Sequence, residues 1–135
     1  MSAVDAAKIW SLNYRLLLSV IASVEADITT LGLDSKELFL IAEIDEHPYP
    51  AELAATLSMP KATVTVYLKR LEAAGFVRRE IEPADLRRHR LLLTPAGRQA
   101  ATDGLSLLAE AFDERLRRLT VAQQKDLKNL LEEIL

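Results

Sequence analysis

The strongest constraint on the fold is a three-residue break between two short helical segments. AELAATL (51–57) follows Pro50, and KATVTVYLKRLEAA (61–74) follows Ser58-Met59-Pro60. A missing N–H costs least in the first turn of a helix, so Pro50 and Pro60 both indicate helix starts. Two helices joined by so short a turn are predicted to form a helix-turn-helix.

The chain after the second helix has the pattern of a β-hairpin. Gly75 is expected to end the helix as a C′ glycine, and FVRREIE (76–82) and RLLL (90–93) are predicted as strands. Val77 and Ile81 are expected on one face, with Leu91 and Leu93 available to meet them. The tip between the strands, PADLRRH, is polar and basic. The predicted fold is therefore mainly α with a small β-hairpin, the wing of a winged helix-turn-helix.

Amphipathic helices are predicted on both sides of this lobe. Apolar residues recur every three or four positions over 4–31, 95–118 and 120–135. Capping boxes start two helices, Asp34 with Glu37 and Thr120 with Gln123. The buried side of the helix after Asp34 is predicted to contain Leu38, Phe39, Ile41, Ala42 and Ile44. The terminal helices carry more apolar surface than one small core can cover, which predicts a two-fold homodimer.

Charge is concentrated in one part of the chain. The net charge is −3, yet residues 61–90 contain eight basic side chains and four acidic ones, a local balance of +4. The basic residues are Lys61, Lys69, Arg70, Arg78, Arg79, Arg87, Arg88 and Arg90. A basic patch on an acidic body is typical of a protein that binds phosphates with one face.

Other classes of function lack their sequence signals. There is no cysteine, and two histidines, His47 and His89, without a coherent carboxylate set do not predict a metal site or another cofactor. Glu132 and Glu133 fit a solvated helix face better than an acid–base pair, so no catalytic residue is predicted and the protein is not expected to be an enzyme. Neither a targeting segment nor an apolar run of about 18 residues is present, which predicts a cytoplasmic protein without membrane contact.

Several stretches together resemble the MarR family of bacterial transcriptional regulators. They are ELA (52–54), TVT (63–65), RLEAAGFVRR (70–79), PADLR (83–87) and LLLTPAG (91–97). The Asp-x-Arg placed four residues before Leu-x-Leu-Thr is the most specific of these. Two positions depart from the family pattern: Ser58 stands where glycine is usual, and Pro60 stands where a hydroxyl cap is usual.

The resemblance implies an architecture and a binding geometry. It implies one domain over 1–135, with a winged helix-turn-helix lobe at 34–97, dimerisation helices at 1–31 and 98–135, and one further short strand near Tyr49. Helix 60–74 would enter the major groove and the hairpin tip the minor groove. By similarity, Asp85 would pair with Arg87 and orient its guanidinium. Two recognition helices about 34 Å apart predict a pseudo-palindromic site in double-stranded DNA.

The candidate DNA contacts are hydroxyl, apolar and charged residues of this helix and hairpin. They are Lys61, Thr63, Thr65, Val66, Lys69, Arg78, Asp85, Arg87, Arg88 and Arg90. Threonines can instead bond their own backbone, and Arg87 could be a solvated loop arginine beside Asp85. The sequence leaves open whether Arg78 or Arg79 approaches the DNA backbone. It also leaves open which of Arg88, His89 and Arg90 contact phosphate.

The first helix carries a candidate effector site. Members of the family often bind small aromatic or phenolic anions, and Trp10, Tyr14 and Arg15 offer stacking and a cation. Packing of both aromatic residues in a dimer interface is the simpler alternative.

Together these features predict a sequence-specific, DNA-binding transcriptional regulator, a repressor acting as a homodimer and released by a small aromatic ligand. The alternative is a winged-helix protein-interaction module that does not bind DNA.

Overall fold

A computed structural model describes residues 4–135 of the chain. In this range the chain forms six helices and one two-stranded antiparallel hairpin. In chain order they are α1 (Ala6–Thr30), α2 (Ser35–Glu43), α3 (Pro50–Thr56), α4 (Lys61–Ala73), β1 (Val77–Glu82), β2 (Asp85–Leu93), α5 (Pro95–Leu116) and α6 (Val121–Ile134). The predicted order of elements is confirmed.

The helix starts follow the expected local chemistry. Asp34 accepts a hydrogen bond from the Glu37 N–H at 2.7 Å, and the Asp34 N–H donates to the Glu37 carboxylate at 3.2 Å. Thr120 and Gln123 form the same reciprocal pair before α6. Between α3 and α4, Ser58 has a φ of +51°, in the left-handed region that favours glycine. The turn therefore keeps its geometry although a serine occupies the usual glycine position.

The chain divides into two compact units. Residues 25–106 form one of them, called here the winged-helix unit, and residues 4–24 with 107–135 form the terminal unit. The largest fully buried side chains all lie in the winged-helix unit: Ile28, Leu38, Leu40, Ile41, Ile44, Leu53, Val64, Leu68, Leu71 and Leu91. Its core joins the last turns of α1, the helices α2 to α4 and strand β2.

The buried side of α2 differs from the prediction. Leu38, Ile41 and Ile44 are buried as expected, but Phe39 and Ala42 are only half-buried. Leu40 is fully buried instead. The buried residues of α2 form a regular stripe that begins at Glu37. Because Glu37 is charged, the apolar pattern of the sequence did not show where this stripe begins.

The hairpin is longer than predicted. Strand β2 begins at Asp85 rather than Arg90, so most of the expected loop is strand. Val77 is buried, but Ile81 is 58% exposed because this part of the hairpin extends beyond the core. The expected strand near Tyr49 is not formed. A single backbone hydrogen bond, from the Leu91 N–H to the Pro48 carbonyl at 2.7 Å, stands in its place.

The terminal unit leaves many apolar side chains exposed. In α6 no described residue is buried. Exposed large apolar residues of this unit include Ile9, Trp10, Leu12, Tyr14, Leu17, Leu18, Leu119, Val121, Leu130, Leu131 and Ile134.

No single helix within residues 4–135 is both long and apolar enough to cross a membrane; α1 and α2 reach that threshold only when taken together across an 84° bend.

Candidate nucleic-acid interface

One face of α4 is exposed and carries two lysines. Lys61, Thr65 and Lys69 recur every fourth residue, so they lie along the same side of the helix, and all three are exposed. Val66 beside them is 57% exposed. The opposite side of α4 is held in the core by Val64, Leu68 and Leu71. This packing fixes which residues of α4 face outward.

The two threonines of α4 have different surroundings. The Thr65 hydroxyl donates to the Lys61 carbonyl at 3.0 Å, which is the backbone bond that the alternative interpretation expected. Its oxygen can still accept a hydrogen bond from a ligand. Thr63 is half-buried and lines a groove of about 420 Å³ with Phe39 and Met59. Thr65 is therefore the more accessible of the two.

The hairpin tip has an irregular register. Ile81 lies opposite His89 and Glu82 opposite Asp85, so residues 86–88 of β2 have no partner in β1. We call Leu86-Arg87-Arg88 the bulge. Bulges of this kind redirect side chains away from the regular alternation of a strand. The three side chains therefore need not follow the alternation that the sequence suggested.

Asp85 shapes the bulge through the backbone. Its carboxylate accepts a hydrogen bond from the backbone N–H of Arg87 at 3.0 Å. The side-chain ion pair implied by the family resemblance is not formed. The Arg87 guanidinium is exposed and has no hydrogen-bond or ion-pair partner among residues 4–135.

The eight basic residues between 61 and 90 separate into two groups. Four are paired with carboxylates: Arg70 with Glu37, Arg78 with Glu80, Arg79 with Glu72 and Arg88 with Glu52. The other four, Lys61, Lys69, Arg87 and Arg90, are exposed and have no carboxylate partner in the described part of the chain. Arg79 reaches back to α4, whereas Arg78 pairs with a neighbour on its own strand. His89 is half-buried.

Tyr49 is a central residue that the sequence prediction did not assign. The Arg88 guanidinium lies over the Tyr49 ring, 3.5 Å from its centroid, and the Tyr49 hydroxyl donates to the Glu82 carboxylate at 2.5 Å. This hydrogen bond, more than the partial burial, raises the pKa of the Tyr49 hydroxyl. The only sequence signal was an aromatic residue between Pro48 and Pro50.

Known proteins resemble this chain in sequence and in structure. A model described as MarR family matches residues 31–88. The chain is 30% identical over 136 residues to the HTH-type transcriptional repressors Rv2887 of Mycobacterium tuberculosis and Mb2911 of Mycobacterium bovis, covering 99% of this chain and 98% of each relative. The chain belongs to the MarR family. The predicted family is confirmed, and with it the predicted class of function, a transcriptional regulator.

Solved MarR-family structures have the same fold. The structure of Rv2887 in complex with salicylic acid has a TM-score of 0.74 and 30% identity, over 91% of this chain and 93% of that one. Apo MarR from E. coli has a TM-score of 0.79 at 21% identity, over 99% of both chains, and supports the fold alone. The winged helix-turn-helix fold predicted from the sequence is thus confirmed.

The three candidate effector residues of this MarR-family chain do not line one shared cavity in the described part of the chain. Trp10 and Tyr14 stack on each other, with ring centroids 5.7 Å apart and an interplanar angle of 18°. Arg15 instead lines a cavity of about 300 Å³ with Leu12, Leu16, Ser19 and Arg115. Of the described residues, neither Trp10 nor Tyr14 lines it.

A cluster near the end of α2 was missed by the sequence reasoning. Ligand atoms of Glu43, Glu46 and His47 all lie within 4.8 Å of one another. The three side chains are exposed or half-exposed, and acidic groups on a surface often cluster without a metal ion. We assign no metal to it.

Proposed function

We propose that this MarR-family protein is a homodimeric repressor that binds a pseudo-palindromic site in duplex DNA through its 34–97 lobe. The observation that carries the proposal is the set of four exposed, unpaired cations, two on α4 and two on the hairpin. Half of the basic residues in this segment are already paired within the protein. The remaining half is free for phosphates, which supply most of the affinity of such complexes.

On α4 we assign phosphate contacts to Lys61 and Lys69. Thr63, Thr65 and Val66 are assigned to the base edges of the major groove, where a hydroxyl can donate or accept and an apolar group can contact a thymine methyl. Apart from Arg70, which pairs with Glu37 near the far end of α4, no arginine, asparagine or glutamine accompanies them on this outer face. Base recognition is therefore expected to depend on single hydrogen bonds and apolar contacts rather than on bidentate hydrogen bonds.

On the hairpin we assign Arg87 to the minor groove. A planar cation at a projecting bulge suits the narrow groove over A·T-rich steps, whose negative potential is strong. Asp85 shapes the bulge, and Arg90 is assigned to a flanking phosphate. Arg78 is assigned to another, for which it would exchange its 3.4 Å ion pair with Glu80. Arg88, which the sequence places in the same group, is instead held against Tyr49 and near Glu52.

We assign dimerisation to the helices in 1–31 and 98–135. The exposed apolar side chains of the terminal unit support this, since a monomer in water rarely exposes so many. A two-fold dimer would present two copies of α4 to successive major grooves. We assign the protein to the cytoplasm, with the DNA that it regulates, and no catalytic role is proposed.

We also propose release by a small aromatic carboxylate. The relative Rv2887 has been crystallised with salicylic acid and with p-aminosalicylic acid, at 30% and 29% identity to this chain. The cavity beside Arg15 offers an apolar wall with two arginines, which suits an aromatic anion. Trp10 and Tyr14 are retained as candidate reporters or contacts on the same helix.

Replacing Arg87 by Ala tests the DNA-binding proposal. The variant should lose most of its affinity for a duplex that the wild-type protein selects from a random library, while its dimer stays intact. Arg117→Ala is the matched control: Arg117 lies in the turn between α5 and α6, outside both helices, and it is an exposed arginine paired with Asp113. Both are measured by fluorescence anisotropy and sedimentation. Unaltered affinity of Arg87→Ala would favour a protein-interaction module.

A further inference from the structure

Of the two arginines in the bulge, Arg88 is the one whose side chain makes contacts within the described part of the protein. Its guanidinium carbon lies 3.5 Å from the centre of the Tyr49 ring, a short cation–π distance. One of its nitrogens lies 3.8 Å from the Glu52 carboxylate. Its neighbour Arg87 has neither kind of contact. Two adjacent arginines of the same bulge thus have opposite environments.

The segment that receives Arg88 also holds both strands of the hairpin. The Pro48 carbonyl accepts the Leu91 N–H of β2 at 2.7 Å, and the Tyr49 hydroxyl donates to Glu82 of β1 at 2.5 Å. Glu52 lies on α3, the first helix of the helix-turn-helix. Contacts from Arg88 to Tyr49 and Glu52 therefore connect the bulge directly to the helix pair that carries α4.

These contacts leave Arg88 poorly suited to bind a phosphate. One face of its guanidinium is covered by the ring, and its charge is partly balanced by Glu52. The bulge itself lacks partners in β1, so its conformation depends on contacts of this kind. Loss of them would let Arg87 adopt many orientations, and ordering it again on DNA would reduce the affinity.

We propose that Arg88 is a positioning residue, which acts through Tyr49 to hold the bulge so that Arg87 points into the minor groove. This inference rests on the proposed DNA-binding function. It removes Arg88 from the predicted phosphate contacts and adds Tyr49 to the residues on which DNA affinity depends.

A double-mutant cycle separates positioning from direct contact. Arg88→Gln and Tyr49→Leu should each weaken binding of the selected duplex by about tenfold, and the double variant should be no weaker than the worse single variant. If Arg88 contacted a phosphate directly, the two substitutions would act independently, and the double variant would lose affinity by the product of the two single losses. Loss of that phosphate contact would also reduce the slope of log affinity against log salt by about 0.9 per arginine, or about 1.8 per dimer. For a positioning role the slope stays close to that of the wild-type protein.

Two further variants test whether a loss of affinity is caused by misfolding. Tyr49→Phe keeps the ring and loses only the hydroxyl bond to Glu82, so it should retain most of the affinity that Tyr49→Leu loses. Arg117→Ala should bind as the wild-type protein does, and thermal unfolding reports whether each variant is folded. Multiplied losses with a reduced salt slope would overturn the role of Arg88 alone. A wild-type protein that binds no duplex would overturn the proposed function together with this inference.

Discussion

The guanidinium of Arg70 donates a hydrogen bond to the Glu37 carboxylate at 3.1 Å, and so joins the last turns of α4 to the first turn of α2. Glu37 is only 5% exposed, and it also caps α2 together with Asp34. Arg70 is therefore a structural residue of the winged-helix unit. Its position near the end of α4 is set by the core rather than by DNA.

Burial makes Glu37 a source of pH-dependent stability. Desolvation raises the pKa of Glu37 above 4.5, and the Asp34 hydrogen bond and the Arg70 charge offset this only in part. A raised carboxyl pKa stabilises the fold at pH values below the unfolded pKa, and this contribution is lost as the pH rises through the folded pKa. The difference in unfolding free energy between the wild-type protein and Glu37→Gln should therefore fall as the pH rises above about 4.5 and then become constant. Denaturant titrations at fixed protein concentration measure it. A difference that grew with pH would show that the Arg70 ion pair outweighs burial.

Local signals predicted the elements well, and contacts between distant segments were not predictable. Prolines, capping boxes and apolar spacing located all six helices, because each of these signals acts within a few residues. Glu37 concealed the stripe of α2, because one of the two groups that stabilise its carboxylate there, Arg70, lies 33 residues away in the sequence. The bulge and the contact of Arg88 with Tyr49 likewise depend on a pairing between β2 and the segment before α3. The sequence could therefore propose a basic tip but could not separate Arg87 from Arg88.

Gly104 allows α5 to approach α2 closely. A Cβ atom at this position would lie 2.5 and 2.8 Å from the two Cδ atoms of Leu38, which is fully buried. Gly104→Ala should thus destabilise the protein by about 1 to 2 kcal/mol, since overpacking outweighs the gain of about 1 kcal/mol in helix propensity. Ser106→Ala, at an exposed site of α5, is the control and should be neutral or slightly stabilising. Chemical denaturation measures both, and a stabilised Gly104→Ala variant would contradict the packing argument.

A charge on the exposed face of α6 should weaken the proposed dimer. Leu130 is 55% exposed in the single chain, so Leu130→Glu should leave the fold of each subunit intact. If the side chain is buried between subunits, two copies of an unpaired carboxylate should raise the dimer dissociation constant at least tenfold. Asn129→Glu, next to it and also exposed, adds the same charge and is the control. Sedimentation velocity at micromolar concentration reports the shift. Equal dissociation constants for the two variants would place the interface elsewhere.

Salt should weaken DNA binding steeply. A dimer that neutralises about six to ten phosphates should lose on the order of a thousandfold or more in affinity between 50 and 200 mM salt. Lys69→Gln removes one assigned phosphate contact per subunit, so it should reduce the slope of log affinity against log salt by about 1.8. Lys128→Gln removes an exposed lysine of α6 and should leave the slope unchanged. An affinity nearly independent of salt would contradict the electrostatic basis of the proposal.

Trp10 offers a direct optical test of the proposed effector. It is the only tryptophan in the chain, it is 67% exposed, and it stacks on Tyr14, so a change at the first helix should alter its emission. Salicylate should produce a saturable change, and Arg15→Gln should weaken it about tenfold, because a charge-assisted hydrogen bond to the carboxylate would be lost. Salicyl alcohol lacks the carboxylate and should bind at least tenfold more weakly, and free tryptophan titrated in parallel corrects for absorption by the ligand. Salicylate over the same concentration range should release the protein from its selected duplex. If DNA lowers the affinity for salicylate by some factor, salicylate must lower the affinity for DNA by that same factor. A linear change identical to that of free tryptophan would leave dimer packing as the role of Trp10 and Tyr14.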